Sequence, residues 1–266
     1  MPHRKAALLA DAPAGRHFCQ FASESEPLID SVAMFAASGL ERGEAVILVV
    51  TPAHARELTE RLTRQGLDPA SACDSGHLVF VDSVATMAEY TRGGVPDLQG
   101  LKSSVDRLIA GLPVERQGRL RIYGELVDLL WQAGYTDAAI QLEGFWEAYY
   151  SSHGLCLFCG FTMDALAEST YEAPFGEIGR LHTSVLPTEE DERLRAAVDA
   201  ATEDVLGISF SLILGCSSRE QTLGEHRLPI GRRTMLWLHR NMPVTSGHIL
   251  ERARHYMELA AAPSAG

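Results

Sequence analysis

The stretch from Arg16 to Thr51, RHFCQFASESEPLIDSVAMFAASGLERGEAVILVVT, constrains the fold more than any other part of the chain. His17 to Phe21 is an apolar alternating run, the pattern of a strand. A polar loop, Ala22 to Glu26, follows. Leu28, Ile29, Val32, Met34 and Phe35 then recur on a helical period, and this helix is expected to stop near Gly39, with Gly43 at the turn. Ala45 to Val50 is apolar throughout, as strands covered on both faces are. Strand, helix and buried strand make a βαβ unit, and such units build parallel sheets. Many folds of this kind bind phosphate in the loop after the first strand; here that loop has no glycine and no lysine.

The same alternation continues downstream. Pro52 opens a helix through Arg64, closed by Gly66, and Leu67 to Gly76 is expected as a loop. Further strands are expected at Leu78–Val81, Arg119–Tyr123 and Leu155–Phe161. Between them lie helical patterns at Val84–Tyr90, Leu98–Leu112, Leu126–Trp131 and Thr136–Tyr150, and a Gly/Pro turn at Arg92–Pro96. Near Pro187 the character changes. Thr188 is an N-cap before EEDERLRAAVDAATEDVL, whose first turn is acidic. Two more helices are expected, from about Pro229 to Asn241 and from about Thr245 to Leu259. The segment ISFSLIL, Ile208 to Leu214, is β-rich but lies between helical patterns, so it is expected outside the sheet.

The 266 residues, 46% hydrophobic and 22% charged, suit one large α/β domain with something smaller attached. Residues 1–15 are expected as a disordered tail, 16–187 as the α/β domain and 188–266 as a helical output or docking module. A net charge of -12 produces a field that repels nucleic acid. No apolar run reaches the roughly 18 residues of a membrane span. Five cysteines, an odd number, in a chain with no export signal are expected as reduced thiols in the cytoplasm.

Several stretches together resemble a known family: HFCQF, FAASGLERGEAVILVVTPAH, RIYGELVDLLWQAG, AAIQLEGFWEAYY and LHTSVLPTEE. They are similar to the MEDS domain, the sensory module named for methanogens, methylotrophs and the DcmR regulator. More broadly, the spacing of strands and helices resembles the KaiC branch of RecA-like ATPases. The resemblance implies a RecA/KaiC-like, mostly parallel sheet flanked by helices, with ligand sensing as its role. ATP chemistry is not expected to survive. A P-loop needs G-x-x-x-x-G-K-[ST], and this chain has Ala22-Ser23-Glu24-Ser25-Glu26-Pro27 in its place. Where the KaiC-like pattern has catalytic carboxylates after the second strand, this chain has Pro52-Ala53-His54.

A ligand site remains expected, because α/β sheets bind ligands in the crevice beyond their strand ends. Its expected contacts are His17, Cys19, Ser23, Ser25, His54 and Glu125. Glu125 ends the fourth strand of the sheet, and His17 and Cys19, two apart, share one face of the first. Trp131, Glu143, Trp146 and His182 match the family and are expected to be structural, with Glu143 pairing to a backbone donor or an arginine. Cys156 and Cys159 form a C-x-x-C, yet in a strand they point to opposite faces and no second pair completes a zinc site. No metal is expected, and no cofactor is named by the sequence. Between Arg219 and Met257 seven arginines meet three carboxylates, the charge balance of a DNA reader or of a docking module facing the acidic helix. The expected function is non-catalytic: a small ligand binds the vestigial nucleotide crevice and regulates a signalling or regulatory protein partner, with a homodimer compatible and neither nucleic acid nor membrane expected. The alternatives are a divergent nucleotide-binding ATPase, a thiol-based redox protein and a DNA-binding transcriptional regulator.

Overall fold

The structure, a computed structural model, describes residues 2–113, 120–172, 174–208 and 227–261. They fall into two compact units. One comprises residues 2–162 and 182–186, the other residues 163–181 and those from Pro187 onward.

The first unit is built on a six-stranded sheet. Its strands and helices run β1 (Arg16–Ala22), α2 (Ser25–Glu41), β2 (Ala45–Val50), α3 (Pro52–Arg64), α4 (Pro69–Asp74), β3 (Leu78–Asp82) and α5 (Ser83–Tyr90), after an opening helix α1 (Pro2–Ala10). A short antiparallel hairpin, β4 (Thr91–Arg92) and β5 (Val95–Pro96), leads to α6 (Leu98–Ala110). Then come β6 (Leu120–Gly124), α7 (Leu126–Gln132), α8 (Thr136–His153), β7 (Cys156–Thr162) and β8 (Ser184–Val185). The sheet order is β3-β2-β6-β7-β1-β8, and every neighbouring pair is parallel. The five expected strands are all present, and the short β8 is an addition at the edge.

Each face of this sheet has its own cover. Phe18, Leu48, Val50, Tyr123, Cys156 and Phe158 lie under Ile29, Val32, Phe35 and Ala36 of α2. The alternate residues, among them His17, Cys19, Ile47, Ile122, Leu157, Cys159 and Phe161, are also buried. That both faces are covered explains why β2 reads as six apolar residues rather than an alternating run. Gly154, at φ 64°, closes α8 in the left-handed conformation and turns the chain into β7.

The first residues correct the expectation of a disordered tail. They form α1, whose Leu9 is wholly buried against the core under α2. The helix has only nine residues, so its own sequence gives little support. What holds it is tertiary. Lys5 Nζ donates to Ser31 Oγ at 3.0 Å, and the buried Arg121 donates to the carbonyls of Leu9 at 2.7 Å and Ala10 at 3.2 Å. Arg121 also pairs with Glu44 and stacks over Phe35, so its charge is matched inside the core. A second difference is α4, inside the segment expected as a loop; Asp68 caps it, accepting from Ser71 N at 3.1 Å, and Pro69 starts it.

The second unit is helical. A 3-10 turn (Glu168–Tyr171) and a short helix (Phe175–Leu181) precede helices Glu189–Leu206, Ile230–Asn241 and Pro243–Ala261. Thr188 and Asp191 form a reciprocal capping box: Thr188 Oγ1 accepts from Asp191 N, and the Asp191 carboxylate accepts from Thr188 N. Arg232 is fully buried and donates to Asp191 at 2.9 Å and to Glu190 at 3.3 Å. Arg252 pairs with Asp204. Two arginines of the basic C-terminal stretch are therefore engaged with the acidic helix. Among the described residues after Thr188 there is no strand; most of the ISFSLIL segment lies outside the described residues. No helix among the described residues is long and apolar enough to cross a membrane.

Candidate functional site

Parallel strands end on one side, so residues just past β2, β6 and β7 converge although they are far apart in sequence. Glu125 follows β6, and its backbone N–H continues the ladder to Val49 O at 3.0 Å. Its side chain turns back over the end of β2. One carboxylate oxygen accepts from Thr51 N at 2.9 Å, and the other meets His54 Nδ1 at 2.5 Å. His54 is set in place by the N-cap of α3, where Thr51 Oγ1 accepts from His54 N at 3.2 Å. The Glu125 side chain is 5% exposed and that of His54 24%, so a buried carboxylate is joined to an imidazole that reaches solvent. The bond to Glu125 raises the His54 pKa, helped by the charges of Glu125, Glu57 and Asp128 and opposed by burial.

Asp128, one turn along α7 from Glu125, completes the cluster. It accepts from Thr162 N at 2.9 Å, at the end of β7, and from Gln132 Nε2 at 3.3 Å. Burial pushes its carboxyl up to about 6; the bonds from Thr162 and Gln132 oppose the shift and the Glu125 charge adds to it. Thr162 stands beside Ala22 in the sheet, so the cluster spans the carboxyl ends from β2 to the strand next to β1. Sequence reasoning did not single out Asp128. The signal was an acid three residues after Glu125 at a helix start, which places both on one side of the first turn. Of the loop residues, Ser23 is exposed and Ser25, the first residue of α2, is half-buried.

His17 and Cys19 occupy a different place. Five residues, roughly 17 Å of strand, separate His17 from the end of β1. Rather than flooring the crevice, His17 belongs to a second cluster, inside the sheet's other cover. His17 Nε2 lies 3.3 Å from Cys159 Sγ and 3.4 Å from Glu143 Oε2. His182 Nε2 lies 3.3 Å from the same Glu143 oxygen. The ligand atoms of these four residues all fall within 4.8 Å of one another, and all four residues are buried. The His17 and His182 rings stand 4.0 Å apart, and Tyr150 flanks His17 at 5.1 Å. Glu143 thus meets two imidazoles, not the arginine or backbone donor expected. Neither of its carboxylate oxygens has a hydrogen-bond partner in good geometry.

The electrostatics of this second cluster are tightly coupled. Burial would lower the His182 imidazole; the charges of Cys19 and Glu143 and hydrogen bonds with Cys159 and Cys19 outweigh it and lift the group well above its ordinary value. Burial, with the Glu143 charge, pushes the Cys159 thiol up, against the influence of His182. Cys156 takes the opposite face, in the apolar core, where burial pushes its thiol up to about 12. The two cysteines of the C-x-x-C therefore serve different surroundings, as strand parity requires. A void of about 10 Å³, room for no more than one water, adjoins Cys159 and is lined by Val49, Ile122, Val127, Trp146 and Leu157. Trp146 is buried, Trp131 packs edge-on against Phe161, and His182 lies just before β8, the added edge strand.

No curated protein matches the chain. The family described as the methanogen/methylotroph, DcmR sensory domain matches residues 16–173, a stretch that holds both clusters except His182 and ends before LHTSVLPTEE. That match covers more than half of the chain, and it takes in the sheet from β1 to β7: the protein belongs to the MEDS family of sensory domains.

Proposed function

We propose that this protein is a non-catalytic cytoplasmic sensor in which a small polar ligand binds at the carboxyl ends of β1, β2 and β6 and thereby regulates a protein partner through the helical unit. The observation that carries the reading is the Glu125–His54 pair. A nearly buried carboxylate fixes an imidazole whose outer edge is open, and this is how a protein holds a polar group ready for a ligand. Asp128 extends the polar lining toward β1. The all-parallel sheet with helices on both faces supports the RecA-like relationship that the sequence resembles. The sequence Ala22–Pro27, without glycine or lysine, argues against phosphate as the ligand and against ATP turnover. Engagement of Arg232 and Arg252 with the acidic helix favours a helical docking module over a DNA reader.

Native mass spectrometry of the full chain, purified without denaturation, tests the reading. The expected result is a bound small organic molecule on the wild type that is lost from His54→Ala. A wild type that carries no organic adduct, and whose melting temperature responds to a panel of small polar compounds no differently from that of His54→Ala, would overturn it.

A further inference from the structure

We propose that His17, Glu143, Cys159 and His182 form a buried mononuclear site for a divalent first-row transition-metal ion, with Zn²⁺ the best fit. This stands apart from the crevice reading, since it uses none of its residues. The geometry comes first. Bonds of about 2.0–2.3 Å to nitrogen, oxygen and sulfur place the vertices of a tetrahedron about 3.3–3.8 Å apart. Three separations here are 3.3, 3.4 and 3.3 Å, and no pair of ligand atoms exceeds 4.8 Å. The atoms stand at the spacing of ligands around one centre.

Charge is the second argument. A Zn²⁺ ion, the Glu143 carboxylate, the Cys159 thiolate and two neutral imidazoles sum to zero. Neutrality matters because all four residues are at most 1% exposed, and a net charge at that depth carries a large desolvation penalty. On binding, the Cys159 thiol proton and the proton that makes the His182 imidazole cationic both leave to solvent, since the ion takes a thiolate and neutral imidazoles. The third argument is Glu143. A carboxylate with no exposure and no well-formed hydrogen bond to either oxygen is a costly thing to keep in a core. A metal bond gives one oxygen a well-formed partner where the protein offers two imidazole contacts at 3.4 and 3.3 Å.

The donor set limits the ion. Magnesium and calcium take oxygen ligands, and iron–sulfur clusters take mainly thiolates; two imidazoles, one thiolate and one carboxylate suit zinc and its first-row neighbours. Four protein ligands leave no open position, the mark of a structural centre. What it would fasten is plain from the chain. His17 comes from β1, Glu143 from α8, Cys159 from β7 and His182 from the link between the helix Phe175–Leu181 and β8. One ion would tie together four segments whose outermost ligands, His17 and His182, lie 165 residues apart, including the return of the chain to the sheet, where Thr183 N bonds His17 O at 2.8 Å.

The test uses the full chain. Elemental analysis of the purified protein is expected to find about one zinc per chain. After removal by a chelator, titration with Co²⁺ is expected to saturate near one equivalent and to show a thiolate-to-cobalt charge-transfer band with tetrahedral d–d absorption. Cys159→Ser should abolish the charge-transfer band, and His182→Gln should weaken Co²⁺ binding at least tenfold. Cys156→Ser, on the opposite face, should change neither. If Cys159→Ser does not fold, X-ray absorption of the metal-loaded wild type takes its place; one sulfur and two imidazoles around the metal support the site. A folded wild type that holds less than about a tenth of an equivalent of metal and gives no cobalt spectrum overturns it. So does a cobalt band that survives in folded Cys159→Ser, or an absorption spectrum with no sulfur shell.

Discussion

Replacing Glu125 with alanine tests whether the crevice is a built site. The Glu125 side chain is 5% exposed and accepts from two donors, Thr51 N at 2.9 Å and His54 Nδ1 at 2.5 Å. Losing the acceptor of a buried N–H costs about 1–3 kcal/mol, and a hydrogen bond with a charged partner contributes about 1.5–3 kcal/mol. The two terms overlap, so the expected loss for Glu125→Ala is about 3 kcal/mol, or about 6–12 °C in the melting temperature of a unit this size. The pH dependence carries a second signature. The His54 pKa is raised in the folded state, so its contribution is fully present below its ordinary value of 6.5 and is lost as pH rises through the raised value. The gap between wild type and Glu125→Ala should therefore be wider near pH 6.5 than near pH 8.5. Urea unfolding of both proteins at the two pH values, followed by tryptophan fluorescence, measures it. A loss under about 0.5 kcal/mol, equal at both pH values, would mean that water replaces the carboxylate and that Glu125 organises nothing.

Four further outcomes are expected. Asp128, whose pKa burial lifts to about 6, keeps its proton longer in the folded state, so wild-type stability should fall as pH rises from about 4 to about 6, by up to about 3 kcal/mol; Asp128→Asn should flatten that slope in pH-dependent unfolding. Gly160→Ala places a methyl 2.5 Å from Leu28 and 2.7 Å from the Tyr123 hydroxyl, and should destabilise by about 1–3 kcal/mol in the same assay. Arg232→Ala strips Asp191 and Glu190 of a buried partner and should cost about 3–5 kcal/mol, whereas Arg232→Met combined with Asp191→Leu should recover much of that in thermal unfolding. Phosphate release from ATP should not exceed that of a protein-free blank; turnover that disappears in Glu125→Gln would refute the non-catalytic reading.

Much of the first unit was legible because its signals are local. Apolar runs of strand length, capped helices and a proline at the first turn of α3 each act over a few residues, and they place β1, β2, β3, β6 and β7 in order. The meeting of His54 and Glu125, 71 residues apart, was also within reach, because parallel strands must end on the same side. The helix at the N-terminus was not. Its stability comes from Arg121 and Ser31, partners far along the chain, and no local pattern reports them.

The buried cluster shows where periodicity stops informing. Parity along β1 puts His17 and Cys19 on one face, and parity along β7 separates Cys156 from Cys159. Neither says which cysteine joins the histidine. That is decided by register: Cys19 stands opposite Cys159 and His17 opposite Leu157. A slip of two residues would keep every side chain on its proper face, preserve the hydrophobic pattern and set Leu157 or Phe161 where Cys159 stands. Hydrophobic burial alone discriminates weakly between such registers, since all of them cover β7 equally well. Polar geometry discriminates strongly. Only the observed register brings a thiol within 3.3 Å of His17 Nε2 while α8 delivers Glu143 and the turn before β8 delivers His182. A C-x-x-C read as a pair points to zinc or redox chemistry between its own two sulfurs; in this fold one of the two is core filler, and the other finds its partners in three other segments of the chain.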